Sequence, residues 1–252
     1  MNLWTAFKKE IMEQSRTRRL LIAIILLTSF GMLSPLLAKL MPDIFAAIPG
    51  GEQFAGLIPP PTISDAVAQY VKNITQFGVL LSLLFCMGAV SVEKDKGTAA
   101  MILSKPMPRG SFILAKFLAI SLTLFVALTA AALAGYYYTT FLFAALPLTP
   151  YLAMNGLILL YMLTYAAVTL FFSTLTRTQF VAIGGSAGVL ILSSILGSLP
   201  TLGKFTPEAL VTNATQLILD KPVTNWWGMW VSLILIFISL MASWIAFRRQ
   251  EL

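Results

Sequence analysis

A chain of 252 residues that is 58% hydrophobic and only 11% charged, with a mean hydropathy of +0.85, is built for lipid, because soluble domains carry roughly 25% charged residues. Its net charge of +7 does not point to nucleic acid, since the basic residues flank apolar runs instead of forming a stripe across a soluble face. With no histidine, Cys86 as the single cysteine and no GxxxxGK[ST] loop, the chain lacks the parts for an intrachain disulfide, a Cys/His zinc site, a Ser-His-Asp triad or a phosphate-cradling loop for ATP.

The chain opens on an amphipathic pattern. Leu3, Trp4, Phe7 and Ile11 fall on one helical face and Lys9, Glu13 and Arg16 on the other, which predicts a helix over residues 1–19 lying in the membrane interface. A frayed, charged tail is the alternative. Arg16, Arg18 and Arg19 then lead into a first span over about residues 20–40. That run is about as long as a full span and ends without a small-x-small cleavage pattern, so it is not read as a signal peptide. Pro35 is expected to kink its far end, and Lys39 to snorkel to the interface. Residues 41–75 are rich in Pro and Gly and slightly acidic, and Ser64–Thr75 predicts a short helix capped by Ser64.

A second span is expected over residues 76–91 and a third over 112–140, ending in Tyr136, Tyr137 and Tyr138. Pro147 and Pro150 mark a turn before a fourth span at 151–175, and a fifth covers 180–199. An amphipathic loop over 200–225 precedes the sixth span at 226–247, with Trp226, Trp227 and Trp230 as an interfacial belt. Runs of this length match a hydrocarbon core about 30 Å thick. The predicted fold class is therefore all-α integral membrane, with residues 20–252 forming a single six-span domain.

Orientation follows from the basic residues near the span ends. Lys8, Lys9, Arg16, Arg18, Arg19, Lys94, Lys96, Lys105, Arg109, Lys116, Arg177, Arg248 and Arg249 share one side; Lys39, Lys72, Lys204 and Lys221 lie on the other, offset by acidic neighbours. Both termini are predicted to be cytoplasmic. No span carries Asp, Glu, Lys, Arg or His at mid-depth, which weakens the reading as an ion-coupled transporter. Asn155 and Gln179 lie near span ends, where solvation accounts for them, and Tyr161 and Tyr165, like the Tyr136–Tyr138 group, are read as packing with no substrate role.

The one long polar, basic segment between two spans is Val92–Lys116. Gly97 suits a backbone turn, Thr98 the cap of a short helix starting there, and Pro106 and Pro108 its end. Lys105 and Arg109 are placed to pair with acidic groups on a partner. Glu93 is placed to pair with a basic residue on the partner or on the N-terminal helix.

Glu93-Lys94-Asp95-Lys96-Gly97-Thr98, followed by Leu103-Ser104-Lys105-Pro106 and Arg109, resembles the ABC-2 family of ABC transporter permeases. Among them, the chain looks most like the permeases of nitrous oxide reductase maturation systems. The resemblance implies that the segment is a coupling helix seated on a separate ATPase subunit. It implies a homodimer of permeases meeting at spans one and five, and short re-entrant helices between spans five and six. It also implies export across a bacterial or archaeal cytoplasmic membrane. This chain would bind no cofactor, ATP and Mg being held by the partner. Gly184, Gly185 and Gly188 on span five form a small-residue pattern for helix packing, within the chain or in the dimer. An ion-coupled transporter, a non-transporting membrane scaffold for a cytoplasmic partner and an intramembrane enzyme acting on lipid, which would need a polar cluster the spans do not display, are the competing readings.

Overall fold

The computed structural model describes residues 2–47, 60–98, 108–223 and 225–250. In chain order its helices are α1 (Leu3–Arg16), α2 (Arg19–Ala46), α3 (Ile63–Met87), α4 (Ser91–Asp95), α5 (Arg109–Leu142), α6 (Leu148–Leu175), α7 (Gln179–Gly197), α8 (Glu208–Ile218) and α9 (Trp227–Arg249), with a 3₁₀ turn at Gly203–Phe205 before α8. There is no strand among the described residues. Six helices, α2, α3, α5, α6, α7 and α9, are long and apolar enough to cross a membrane. The protein is a multi-pass membrane protein.

The spans are generally longer than their apolar runs suggest, most of all α3. Ala66, Val67, Tyr70, Val71 and Ile74 are buried at helical spacing, in phase with the rest of α3, so Ser64–Thr75 forms its first turns and not a separate helix. The cap is Thr62 and not Ser64. Thr62 and Asp65 make a reciprocal capping box, with the Thr62 amide donating to Asp65 Oδ2 at 2.8 Å. Similarly, α2 runs on through Pro35 and Pro42 as one helix, and Lys39 does more than reach water, donating to the Leu142 carbonyl at the end of α5 (3.0 Å).

α6 is the hub, packing on α3, α5, α7, α8 and α9. α2 lies along α5 so closely that a Cβ on Gly31 would come within 2.5 Å of the Ala131 carbonyl oxygen. Small residues let helices approach in lipid, where van der Waals packing replaces the hydrophobic drive. Asn155 does not sit at a solvated end. It is 7% exposed, accepts from the Tyr70 hydroxyl at 2.8 Å and donates to the Tyr151 carbonyl at 2.9 Å. The first bond joins α3 to α6 and the second lies within α6, in a setting where an unpaired amide is costly.

The segment between α7 and α9 is not a loose amphipathic turn. Leu210, Ala214 and Ile218 give α8 an apolar face buried in the bundle, and Asn213 donates to the Asn225 carbonyl at 3.0 Å. Opposite in character is α7, whose only buried residues are Ala182 and Ser186.

Candidate functional site

The helix ends that carry most of the basic residues meet at one end of the bundle. There α1 lies across α5, burying Ala6 and Gln14 at helical spacing on either side of Glu10. Leu3 and Phe7 also pack inward, whereas Trp4 is 69% exposed. The docked face of α1 is thus rotated from the purely apolar stripe toward Glu10 and Gln14.

The reason lies on α5. Lys116 is two turns into that helix and 3% exposed, and a cation so deeply buried needs counter-charge. It finds Glu93 Oε1 at 2.8 Å and Glu10 Oε1 and Oε2 at 3.1 and 3.2 Å. Lys9 closes the network from outside, at 2.9 Å from Glu10, 3.2 Å from Glu13 and 3.3 Å from Glu93. Gln14 accepts from Thr123 at 3.2 Å beside it. Arg19 lines the same small cavity of about 120 Å³. Burial works against the Glu10 charge, but the Lys116 and Lys9 ammonium groups outweigh it and hold its pKa below the usual carboxylate range. Burial likewise opposes the Lys9 charge, and Glu10, Glu93 and Glu13 overcome it, so the Lys9 pKa is raised.

Of the two partners open to Glu93, the structure shows the one on the N-terminal helix, together with Lys116. Glu10, Gln14 and the burial of Lys116 were not singled out in the sequence. A lysine four positions inside the expected start of the third span was the available signal, since such a cation requires an acid nearby.

The α3–α4 elbow rests on the end of α6. Ser173 accepts from the Val90 and Ser91 amides, each at 3.1 Å, and donates to the Met87 carbonyl at 2.9 Å. Lys94 donates to the Thr174 carbonyl at 2.6 Å and to Gln250 at 3.3 Å. Arg109 turns inward as well. One of its terminal nitrogens lies 2.8–3.0 Å from the carbonyls of Phe247, Arg248 and Gln250, covering the unsatisfied carbonyls at the end of α9.

The predicted coupling residues therefore divide. Glu93, Lys94 and Arg109 brace the bundle, while Asp95, Lys96 and Gly97 are exposed at its tip. Gly97 has φ +68°, the left-handed turn a glycine permits. The Thr98 hydroxyl donates back to the Glu93 carbonyl at 3.2 Å, closing that turn. Leu103, Ser104, Lys105 and Pro106 lie outside the described residues.

Residues 4–252 match the family described as ABC-2 family transporter protein. The chain belongs to that family. This permease is also similar to YxlG, an uncharacterized transmembrane protein of Bacillus subtilis (strain 168), with 25% identity over 250 residues covering 97% of this chain and 96% of the relative. The chain is accordingly a membrane permease subunit, and ABC-2 permeases normally work with an ATPase subunit.

The span-five glycines of the permease also divide. A Cβ on Gly185 would strike the Phe172 ring of α6 at 2.6 Å, whereas a Cβ on Gly184 or Gly188 would meet nothing within 4 Å among the described residues. Gly185 thus serves packing within the chain, and Gly184 and Gly188 lie on the unoccupied face of α7.

Proposed function

We propose that this permease is driven by a separate ATPase that grips the exposed tip Asp95-Lys96-Gly97, and that it exports its substrate across the cytoplasmic membrane as a pair of identical permeases. The observation that carries this reading is the division of the central segment into a braced inner set and an exposed outer set. A lever must be rigidly joined to the spans it moves and free where it is pushed. Ser173, Lys94 and Arg109 supply the rigid joint between the elbow and α6 and α9. Asp95 and Lys96 supply exposed charge for a partner.

The basic end faces the cytoplasm in this reading, as the positive-inside bias requires, which puts both termini there. α1 rests in the interface with Trp4 toward the headgroups. ATP and Mg²⁺ are bound by the ATPase, and this chain contributes no catalytic group.

Charge reversal at the tip, Asp95→Lys with Lys96→Glu, tests the proposal in the full chain purified from native membranes. The expected result is loss of ATPase co-purification or of permease-stimulated ATP turnover, with an unchanged unfolding midpoint. If an ATPase associates but its turnover is indifferent to the permease and to the reversal, the chain is a scaffold and the coupling role is lost.

A further inference from the structure

Away from their ends, the spans carry no acidic side chain, yet one carboxylate reaches their interior from elsewhere. Glu208, the first residue of α8, extends between α6 and α7. Its Oε1 accepts from the Tyr165 hydroxyl and from Ser193 Oγ, each at 2.8 Å, and those two hydroxyls also touch each other. Tyr165 lies ten residues from the Leu175 end of α6 and seventeen from the Leu148 end, about 15 and 26 Å along the axis at 1.5 Å per residue. On α7, Ser193 lies only four residues from the Gly197 end, and Gly197 faces the Glu208 Cβ, so the carboxylate sits inside the bundle near that end of the spans.

A carboxylate drawn in between spans is costly even near their ends, and membrane proteins keep one there where function uses it. Two hydroxyls and the N-terminal end of α8, where the helix dipole favours an anion, hold one side of this carboxylate. None of the ion pairs among the described residues includes Glu208, and its Oε2 is buried with no hydrogen-bond partner. Beside it, Tyr161 and Tyr165 meet edge to face at 5.1 Å. A carboxylate next to tyrosine rings is a chemistry that recognises organic cations, by charge and by the ring quadrupole. Tyr165 and Tyr161 are buried, at 1% and 8% exposure, as is Oε2, so a ligand reaches them only by displacing side chains on the α7 side, where Ser193 and Glu208 are partly buried and Ile191, Leu192 and Ile195 are exposed.

We propose that Glu208, with Tyr161 and Tyr165, is the recognition point for the positively charged group of an amphipathic organic cation carried by this permease. The proposal rests on the transport reading above and adds a substrate class to it. It also gives Tyr161 and Tyr165 a role beyond packing.

The test is binding of radiolabelled tetraphenylphosphonium to the full chain in lipid nanodiscs, with empty nanodiscs subtracted. Saturable binding is expected, displaced by unlabelled tetraphenylphosphonium but not by the neutral triphenylphosphine oxide. Glu208→Gln is expected to weaken it about tenfold or more, the loss that follows from removing a buried counter-charge. Glutamine keeps an acceptor for Tyr165 and Ser193, so a carboxylate that merely ties α8 to α6 and α7 would leave binding unchanged in that variant. That result, absence of saturable binding, or equal displacement by the neutral compound would each overturn the proposal. The comparison of cation with neutral compound needs only the wild-type chain, so it holds even if the variant folds poorly. Failure of the ATPase reading shows separately, as loss of co-purification with cation binding intact.

Discussion

Lys116 shows how a single buried charge organises its surroundings. Its ammonium group is shared by Glu10 and Glu93 and lies 4.9 Å from the Phe112 ring centre. Replacing it by methionine would keep much of the volume and leave Glu10 and Glu93 with only the more exposed Lys9 as a shared cation. Removing one partner of a buried ion pair costs about 3–5 kcal/mol, so Lys116→Met is expected to lower stability by that order in chemical unfolding from mixed micelles. Adding Glu10→Gln and Glu93→Gln to Lys116→Met should recover part of the loss, because the uncompensated charges go with it. A loss unchanged by those additions would mean that lysine's packing matters more than its charge. The sequence showed Lys116 only as a basic residue at a span start. Its partners come from positions 106 and 23 residues away, and the pairing exists only once α1, α4 and α5 have been brought together.

Among elements, α1 is the one whose attachment depends on charge. Its contact with α5 is small-residue and polar as much as apolar, through Ala6, Glu10 and Gln14, so its docking should respond to pH. The Glu10 pKa is lowered from 4.5 in the folded protein, so its contribution is present above pH 4.5 and disappears as pH falls through the depressed value. The Lys9 pKa is raised from 10.5, so its contribution is present below pH 10.5 and disappears only at higher pH. Hydrogen exchange along Leu3–Arg16, corrected for its intrinsic pH dependence, should therefore show constant protection between those limits and a loss on the acid side. Protection that persists unchanged below the folded Glu10 value would assign the docking to Leu3 and Phe7 instead. Periodicity made α1 legible as a helix, because Leu3, Trp4, Phe7 and Ile11 recur at helical spacing, but it carried no sign that Ala6, Glu10 and Gln14 dock on α5. The six spans were legible for the same reason in number and in place, though generally not in full length. The start of α3 was not, since Tyr70, Lys72, Asn73 and Thr75 dilute the apolar run while the helical phase continues beneath them. Glu208 was not legible either, because it belongs to no span and reaches their interior only through the packing of α8.

At the scale of the whole molecule, the spans are unevenly covered. α6 is enclosed by its neighbours, while α7 turns most of its surface outward, with Phe180, Val181, Ile191, Leu192 and Ile195 exposed. Lipid satisfies such a face, and so does a second permease. The glycines separate the two cases, because a small-residue surface matters for close helix contact and little for fluid acyl chains. In the proposed pair, Gly184→Leu and Gly188→Leu should disrupt association with little change in the unfolding midpoint of the single chain, since a Cβ there meets no atom of the described residues within 4 Å. Gly185→Leu should do the reverse. It drives a side chain into Phe172 and forces α7 away from α6, an overpacking that costs typically 1–3 kcal/mol in a close-packed interior. Native mass spectrometry from mild detergent reads the first effect and thermal unfolding the second. If the Gly184 and Gly188 variants remain paired, the partner surface lies elsewhere, and the open face of α7 belongs to lipid.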